Sequence, residues 1–151
     1  MSQSIPFQLS AAVIGALREQ LEADGVVVRD NPTSRTQLDT GPRVVFIEDA
    51  DDDLLNKPGQ AEGRTFGFVI GVINRTDDPR AGADADMQRA KGIATQALLA
   101  ACRALQATKD IATFQAPREG RRTYRHEHID VGGALILTRY EIDYRLPAVR
   151  G

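Results

Sequence analysis

Hydrophobic positions recur along this chain with two periods. Leu9, Val13, Leu17 and Leu21 are spaced by four, and Ile14 and Ala16 widen the stripe, which predicts a helix over about residues 10–23. Ser10 stands where an N-cap would, and Gly25 where a helix would stop. Three valines at 26–28 then open a short strand. Residues 44–47, Val-Val-Phe-Ile, are apolar on both faces, as in a central strand covered on both sides or lying at a subunit contact. A strand over 64–74 places Phe66, Phe68, Ile70 and Val72 on one face, with Gly67, Val69, Gly71 and Ile73 on the other. Strand glycines in that pattern predict that a helix or another backbone comes close.

Two polar stretches interrupt these elements. Residues 30–42 read as a loop, with Asn31-Pro32 at one end and Gly41-Pro42 at the other. Residues 48–63 read as a second loop, carrying Glu48, Asp49, Asp51, Asp52 and Asp53. It is long for a connection without regular structure, and such loops are commonly functional. After a turn through Asp77-Asp78-Pro79, the longest helix is predicted at about 84–108, with Asp84 as N-cap. Met87, Ala90, Ala94, Ala97, Leu98, Ala101 and Leu105 trace its packed face.

A short strand is expected at 111–116, then a hairpin of 122–129 and 134–146 around Gly132-Gly133. In its second strand Ala134, Ile136, Thr138, Tyr140, Ile142, Tyr144 and Leu146 make one face. Arg139, Glu141, Asp143 and Arg145 make the other, an alternating-charge ladder suited to meeting another protein surface. The order α-β-β-β-α-β-β-β has no internal repeat and no linker. It predicts one α+β domain over 1–151: a mixed or antiparallel sheet, two helices on one face and a long C-terminal β-hairpin.

Composition narrows the function classes. The chain has 151 residues, 42% hydrophobic and 26% charged, with a net charge of -2. That balance argues against specific nucleic-acid binding, which needs a surplus of Lys and Arg. Cys102 is the one cysteine, so no intrachain disulfide forms, and its Ala-rich surroundings predict a buried thiol. No apolar run approaches the roughly 18 residues that span a membrane, and the N-terminus lacks signal-peptide features. A cytoplasmic site of synthesis is expected.

Candidate chemistry is thin. Asp49, Asp51 and Asp53 match the first ligand positions of an EF-hand, but Leu54 stands where Gly is needed and Gln60 where Glu is needed. A solvated acidic segment is the better reading. His126 and His128 share a strand face with Asp130, a set too small for a metal site. Glu127, Glu141 and Asp143 fit cross-strand ion pairs better than acid–base catalysis. Nucleophile and phosphate-loop motifs are absent, so no enzyme and no cofactor are expected. Arg118, Arg121, Arg122 and Arg125, with Tyr124 among them, form the one basic cluster. With Asp49, Asp51, Asp52 and Asp53 they are the candidate interface residues: the arginines of one subunit would meet the acidic segment of the next and close a ring.

The amphipathic first helix, the strand Arg64-Thr-Phe-Gly-Phe-Val-Ile-Gly-Val-Ile73, the Ala-rich helix and the closing Thr138-Arg-Tyr-Glu-Ile-Asp-Tyr-Arg145 set a pattern. Over about residues 8–146 it resembles the tail terminator proteins of long-tailed bacteriophages, the minor tail protein U type. The resemblance implies a virion structural protein, made in the host bacterial cytoplasm, that forms a hexameric ring. Such a ring caps the tail tube, ends polymerisation of the tube protein and faces the head–tail connector protein. It also makes residues 30–42 and 48–63 candidates for contacts with the tube or with neighbouring subunits. The alternatives are a small α+β module binding a peptide or small molecule and, further off, a metal-dependent hydrolase built on His126, His128 and Asp130.

Overall fold

A computed structural model describes residues 3–34, 37–38, 41–54, 62–125 and 133–148. Its elements are α1 (Ile5–Leu21), β1 (Val27–Asp30), β2 (Arg43–Leu54), β3 (Gly63–Asn74), α2 (Pro79–Ala107), β4 (Thr113–Phe114), β5 (Arg118–Arg125) and β6 (Ala134–Arg145). This is the predicted α+β order. The sheet runs β1-β2-β3-β6, with β4 and β5 both on the far side of β6. Only β1 against β2 is parallel, so the sheet is mixed.

Both helices start earlier than their sequence patterns suggest. The first is capped by Ser4, whose hydroxyl accepts from the Phe7 N–H at 3.4 Å, and not by Ser10. The second is capped by Asp78, which accepts from the Ala81 N–H at 3.5 Å, and not by Asp84. In each case a proline, Pro6 or Pro79, occupies the first turn, where a missing N–H costs nothing. Ser10 lies inside α1, and its hydroxyl donates to Asp49 Oδ1 at 2.6 Å.

One sheet face carries the main core. Leu9, Val13, Leu17 and Leu21 of α1 and Met87, Ala90, Ala94, Leu98, Cys102 and Leu105 of α2 pack on Phe66, Phe68, Ile70, Val72, Ile136, Tyr140, Ile142 and Tyr144. The two helices therefore share one face, as expected. Cys102 is fully buried, and burial pushes its thiol up to about 11. Asp86 of α2 ties the helix to the strand ends. It accepts from Arg43 Nη2 at 2.6 Å, from Arg43 Nε at 3.1 Å and from Asn74 Nδ2 at 3.2 Å.

The second sheet face holds a smaller cluster of Val44, Phe46, Ile73 and Leu135, with Val27, Leu38 and Leu137 packed against it. Residues 44–47 are thus covered on both sides. Part of the cover is Leu38, and Arg75 donates to Gly41 O at 2.7 Å and Leu38 O at 3.1 Å. The strand glycines admit side chains, where a helix or backbone was expected. Gly71 makes room for the Phe46 ring, and Gly67 for Arg139 and Asp51.

The largest departure from the sequence reading is the acidic segment. Residues 48–54 are strand, continuing β2 past a bulge at Ala50 and pairing with β3 as far as Leu54 opposite Arg64. Aspartate disfavours strands, but here a full-length partner strand and cross-strand arginines override the local preference. Residues 55–61 lie outside the described residues. At the other edge, β5 starts at Arg118, four residues before the expected Arg122, and its pairing with β6 closes the expected hairpin from Arg125 opposite Leu135. Gly133, at φ +94°, enters β6 in a conformation that favours glycine; Gly132 lies outside the described residues.

Candidate functional site

The feature that no core requirement explains is the charged half of the second sheet face. Alternation along β6 turns Arg139, Glu141 and Asp143 away from the helices, while Ile142 and Tyr144 point into the core. Neighbouring strands bring the partners. Asp51 of β2 lies across Gly67, and Arg118 of β5 stands opposite Glu141 in register.

These side chains form one continuous chain of ion pairs. Arg139 Nη2 donates to Asp51 Oδ1 at 2.6 Å, and Arg139 Nε to Glu141 Oε1 at 3.0 Å. Glu141 Oε2 accepts from Arg118 Nη2 at 2.7 Å, and Arg118 Nη1 reaches Asp143 Oδ2 at 2.8 Å. Asp143 Oδ1 ends the chain, accepting from Thr65 Oγ1 at 2.6 Å. The ladder crosses the sheet from β2 to β5, and its members are half-buried or exposed.

Electrostatics follow the contacts. Burial pulls the Asp143 carboxyl upward, but the hydrogen bonds from Arg118 and Thr65 outweigh it and hold it below the ordinary value. Hydrogen bonding to Glu141, then to Asp51, pushes the Arg139 guanidinium up. Hydrogen bonding to Asp143 does the same first for Arg118. The ionised forms of Asp143, Arg139 and Arg118 are therefore favoured by their neighbours.

A second group sits where the core meets the end of β2. Tyr144 donates its hydroxyl to Asp52 Oδ1 at 2.9 Å, and Arg64 pairs with Asp52 at 3.3 Å and Glu62 at 2.8 Å. Burial raises the Asp52 carboxyl above its ordinary value despite these partners, and burial also raises the Tyr144 hydroxyl.

The residues singled out from sequence are thus distributed as follows. Asp51 belongs to the ladder, Asp52 to the Tyr144 group, and Asp49 binds Ser10, while Asp53 is exposed near the end of β2. Arg118 belongs to the ladder. Arg122 faces the other way, donates to Asp84 of α2 at 2.6 Å and lies over the Tyr124 ring at 4.9 Å. Arg121 is exposed at the bulge of β5, and the side chain of Arg125 lies outside the described residues. Glu141 and Asp143 are ion-pair partners, as their alternation suggested. His126, Glu127, His128 and Asp130 lie outside the described residues. Among the described residues no group of three His, Cys, Asp or Glu side chains is placed to hold a metal ion. Among the described residues no helix is long and apolar enough to cross a membrane.

The link between Arg139 and Asp51 is hidden in the sequence, where the polar composition of residues 48–63 predicts a loop and not a strand. Gly67 was the signal. A glycine amid β-branched and aromatic strand residues marks a place where something large must lie flat.

Fold and surface together define an α+β protein whose sheet has one helix-covered face and an opposite face that is apolar in one half and charged and self-paired in the other. No family model matches the chain, and no curated protein matches it. Among solved structures it is similar to a chain of the virion of a native gene transfer agent particle. That match has 17% identity and a TM-score of 0.44, and covers 97% of this chain and 100% of that one.

Proposed function

We propose that this chain is a structural protein of a phage or phage-like particle, a tail terminator that acts by assembly and not by catalysis. In this reading six copies form a ring that caps the tail tube, halts addition of tube protein and offers its other face to the head–tail connector. It works in the virion and, during assembly, in the host cytoplasm, and it needs no cofactor.

The observation that carries the reading is the ion-pair ladder on the sheet face away from the helices, taken with the sequence resemblance. Burying an unpaired charge at an interface is costly. Here Asp51, Glu141 and Asp143 each already have an arginine partner, so the surface can meet another protein without stranding them. Termination follows from asymmetry. One ring face complements the last ring of tube subunits and the opposite face does not, so growth stops.

The test is negative-stain electron microscopy of the concentrated protein, alone and mixed with the tube protein encoded nearby. Rings, or tubes of uniform length with density at one end, are the expected result. Unbounded tubes without bound density would overturn the reading and favour the small binding module.

A further inference from the structure

The sheet ends on two strand edges of opposite charge. On one side β1 pairs only with residues 44–47 of β2, so residues 48–54 extend past it. Among the described residues no strand pairs with that half of β2 on the side away from β3. On the other side β5 pairs with β6 alone, and no described strand lies beyond it. An unpaired strand edge is a template for another chain.

The open half of β2 carries Glu48, Asp49, Asp51, Asp52 and Asp53; β5 carries Arg118, Arg121, Arg122 and Arg125 against Glu119. Intramolecular pairs engage several of these. Glu48, Asp53 and Arg121 are exposed and form no ion pair among the described residues. Among the described residues the exposed large hydrophobic side chains are Phe7, Leu54 and Tyr124, and the last two sit on these edges.

We propose that copies of this chain join head to tail by strand pairing, residues 118–125 of one copy lying antiparallel to residues 48–54 of the next. The direction follows from the topology. β2 runs opposite to β3, β3 to β6 and β6 to β5, so β2 and β5 run opposite ways when the sheet continues from copy to copy. Charge selects the pairing. Two β5 edges would set arginine against arginine, and two β2 edges carboxylate against carboxylate, so like edges repel and unlike edges attract. Contacts between unlike surfaces propagate and close into a ring when the rotation permits. The inference rests on the proposed ring assembly and names the surfaces that make it.

Short-span bismaleimide cross-linking of full-length protein tests it, using Leu54→Cys and Gly120→Cys, which face each other when Asp53 of one copy lies opposite Arg121 of the next. Both positions are exposed, and a Cβ at Gly120 makes only ordinary contact with Arg139. Cys102 is buried and does not compete. The double variant is expected to give a ladder of covalent multimers, in the presence of tube protein if not alone. Each single variant should stay monomeric after cross-linking. Rings or capped tubes by electron microscopy without a ladder would overturn this pairing and leave the terminator reading standing. Neither assemblies nor a ladder would overturn both. A ladder without tube capping would keep the pairing and remove the terminator role. Asp53→Arg should abolish the ladder, and Arg121→Asp in the same chain should restore it; failure of that rescue, with both variants folded, would also overturn the proposal.

Discussion

The guanidinium of Arg139 on β6 lies in the space that a side chain at Gly67 on β3 would fill, with Asp51 reaching the same space from β2. One strand-interior glycine therefore lets three strands share an ion pair. The same device recurs at Gly71, where the Phe46 ring lies across β3.

These two glycines differ in what a methyl group would displace. At Gly67 it would push aside the ends of two flexible polar side chains; at Gly71 it would push an aromatic ring out of a packed cluster. Gly71→Ala is expected to cost about 2–3 kcal/mol, and Gly67→Ala about 1 kcal/mol through the weakened ion pair. Urea denaturation of both variants checks the ranking, and equal costs would count against it.

Thr138 is fully buried, directly opposite Arg122, and among the described residues its hydroxyl has no hydrogen-bond partner. Leaving a buried hydroxyl unsatisfied costs roughly 1–3 kcal/mol. Thr138→Val keeps the shape and removes the hydroxyl, so thermal unfolding should shift upward or stay unchanged. A clear fall in Tm would mean that the hydroxyl is satisfied in solution.

Asp86 is nearly buried and accepts from both Arg43 and Asn74. Its hydrogen bonds hold the Arg43 guanidinium above its ordinary value, against the opposing effect of burial. Asp86→Ala strands Arg43 and should cost about 3 kcal/mol. Arg43→Met with Asp86→Leu should recover part of that loss, measured as a double-mutant cycle in urea.

Folding shifts the Asp143 and Asp52 carboxyls in opposite directions. Asp143 has a depressed value, so its stabilisation is present above the unfolded-state value and is lost as pH falls through its folded value. Asp52 has a raised value, so the cost of burying its charge is relieved as pH falls through that value. Asp143→Asn should therefore lower stability at neutral pH and flatten the loss seen below about pH 4. Asp52→Asn should remove the opposing gain. Urea midpoints across pH 3–7, roughly spanning the carboxylate range, measure both; an unchanged acid limb in Asp143→Asn would sink the assignment.

Helix capping separates two serines. Ser4→Ala should cost about 0.5–1 kcal/mol through the lost cap. Ser10→Ala acts instead through the bond to Asp49, so Asp49→Ala should make it nearly silent. Additive losses in the double variant would show the two residues to be uncoupled.

Much of the fold was legible because it is written in period. The stripe Leu9, Val13, Leu17, Leu21 is buried throughout, as are Phe66, Phe68, Ile70 and Val72 on one side of β3. Element ends were less legible, since Pro6 and Pro79 start helices here and such dipeptides elsewhere mark turns. The charged ladder on β6 was visible as alternation, but its partners on β2 and β5 were not.

By itself the sequence determined the order of elements, the apolar faces and the burial of Cys102, because side-chain periodicity and local chemistry act within a few residues. Tertiary structure alone decided that the acidic segment is a strand, that Asp51 meets Arg139 and that Arg118 and Arg122 face opposite sides of the sheet. Those outcomes depend on β3 and β6 supplying backbone hydrogen bonds and opposite charges from far along the chain, and no local propensity encodes which strand will lie beside which.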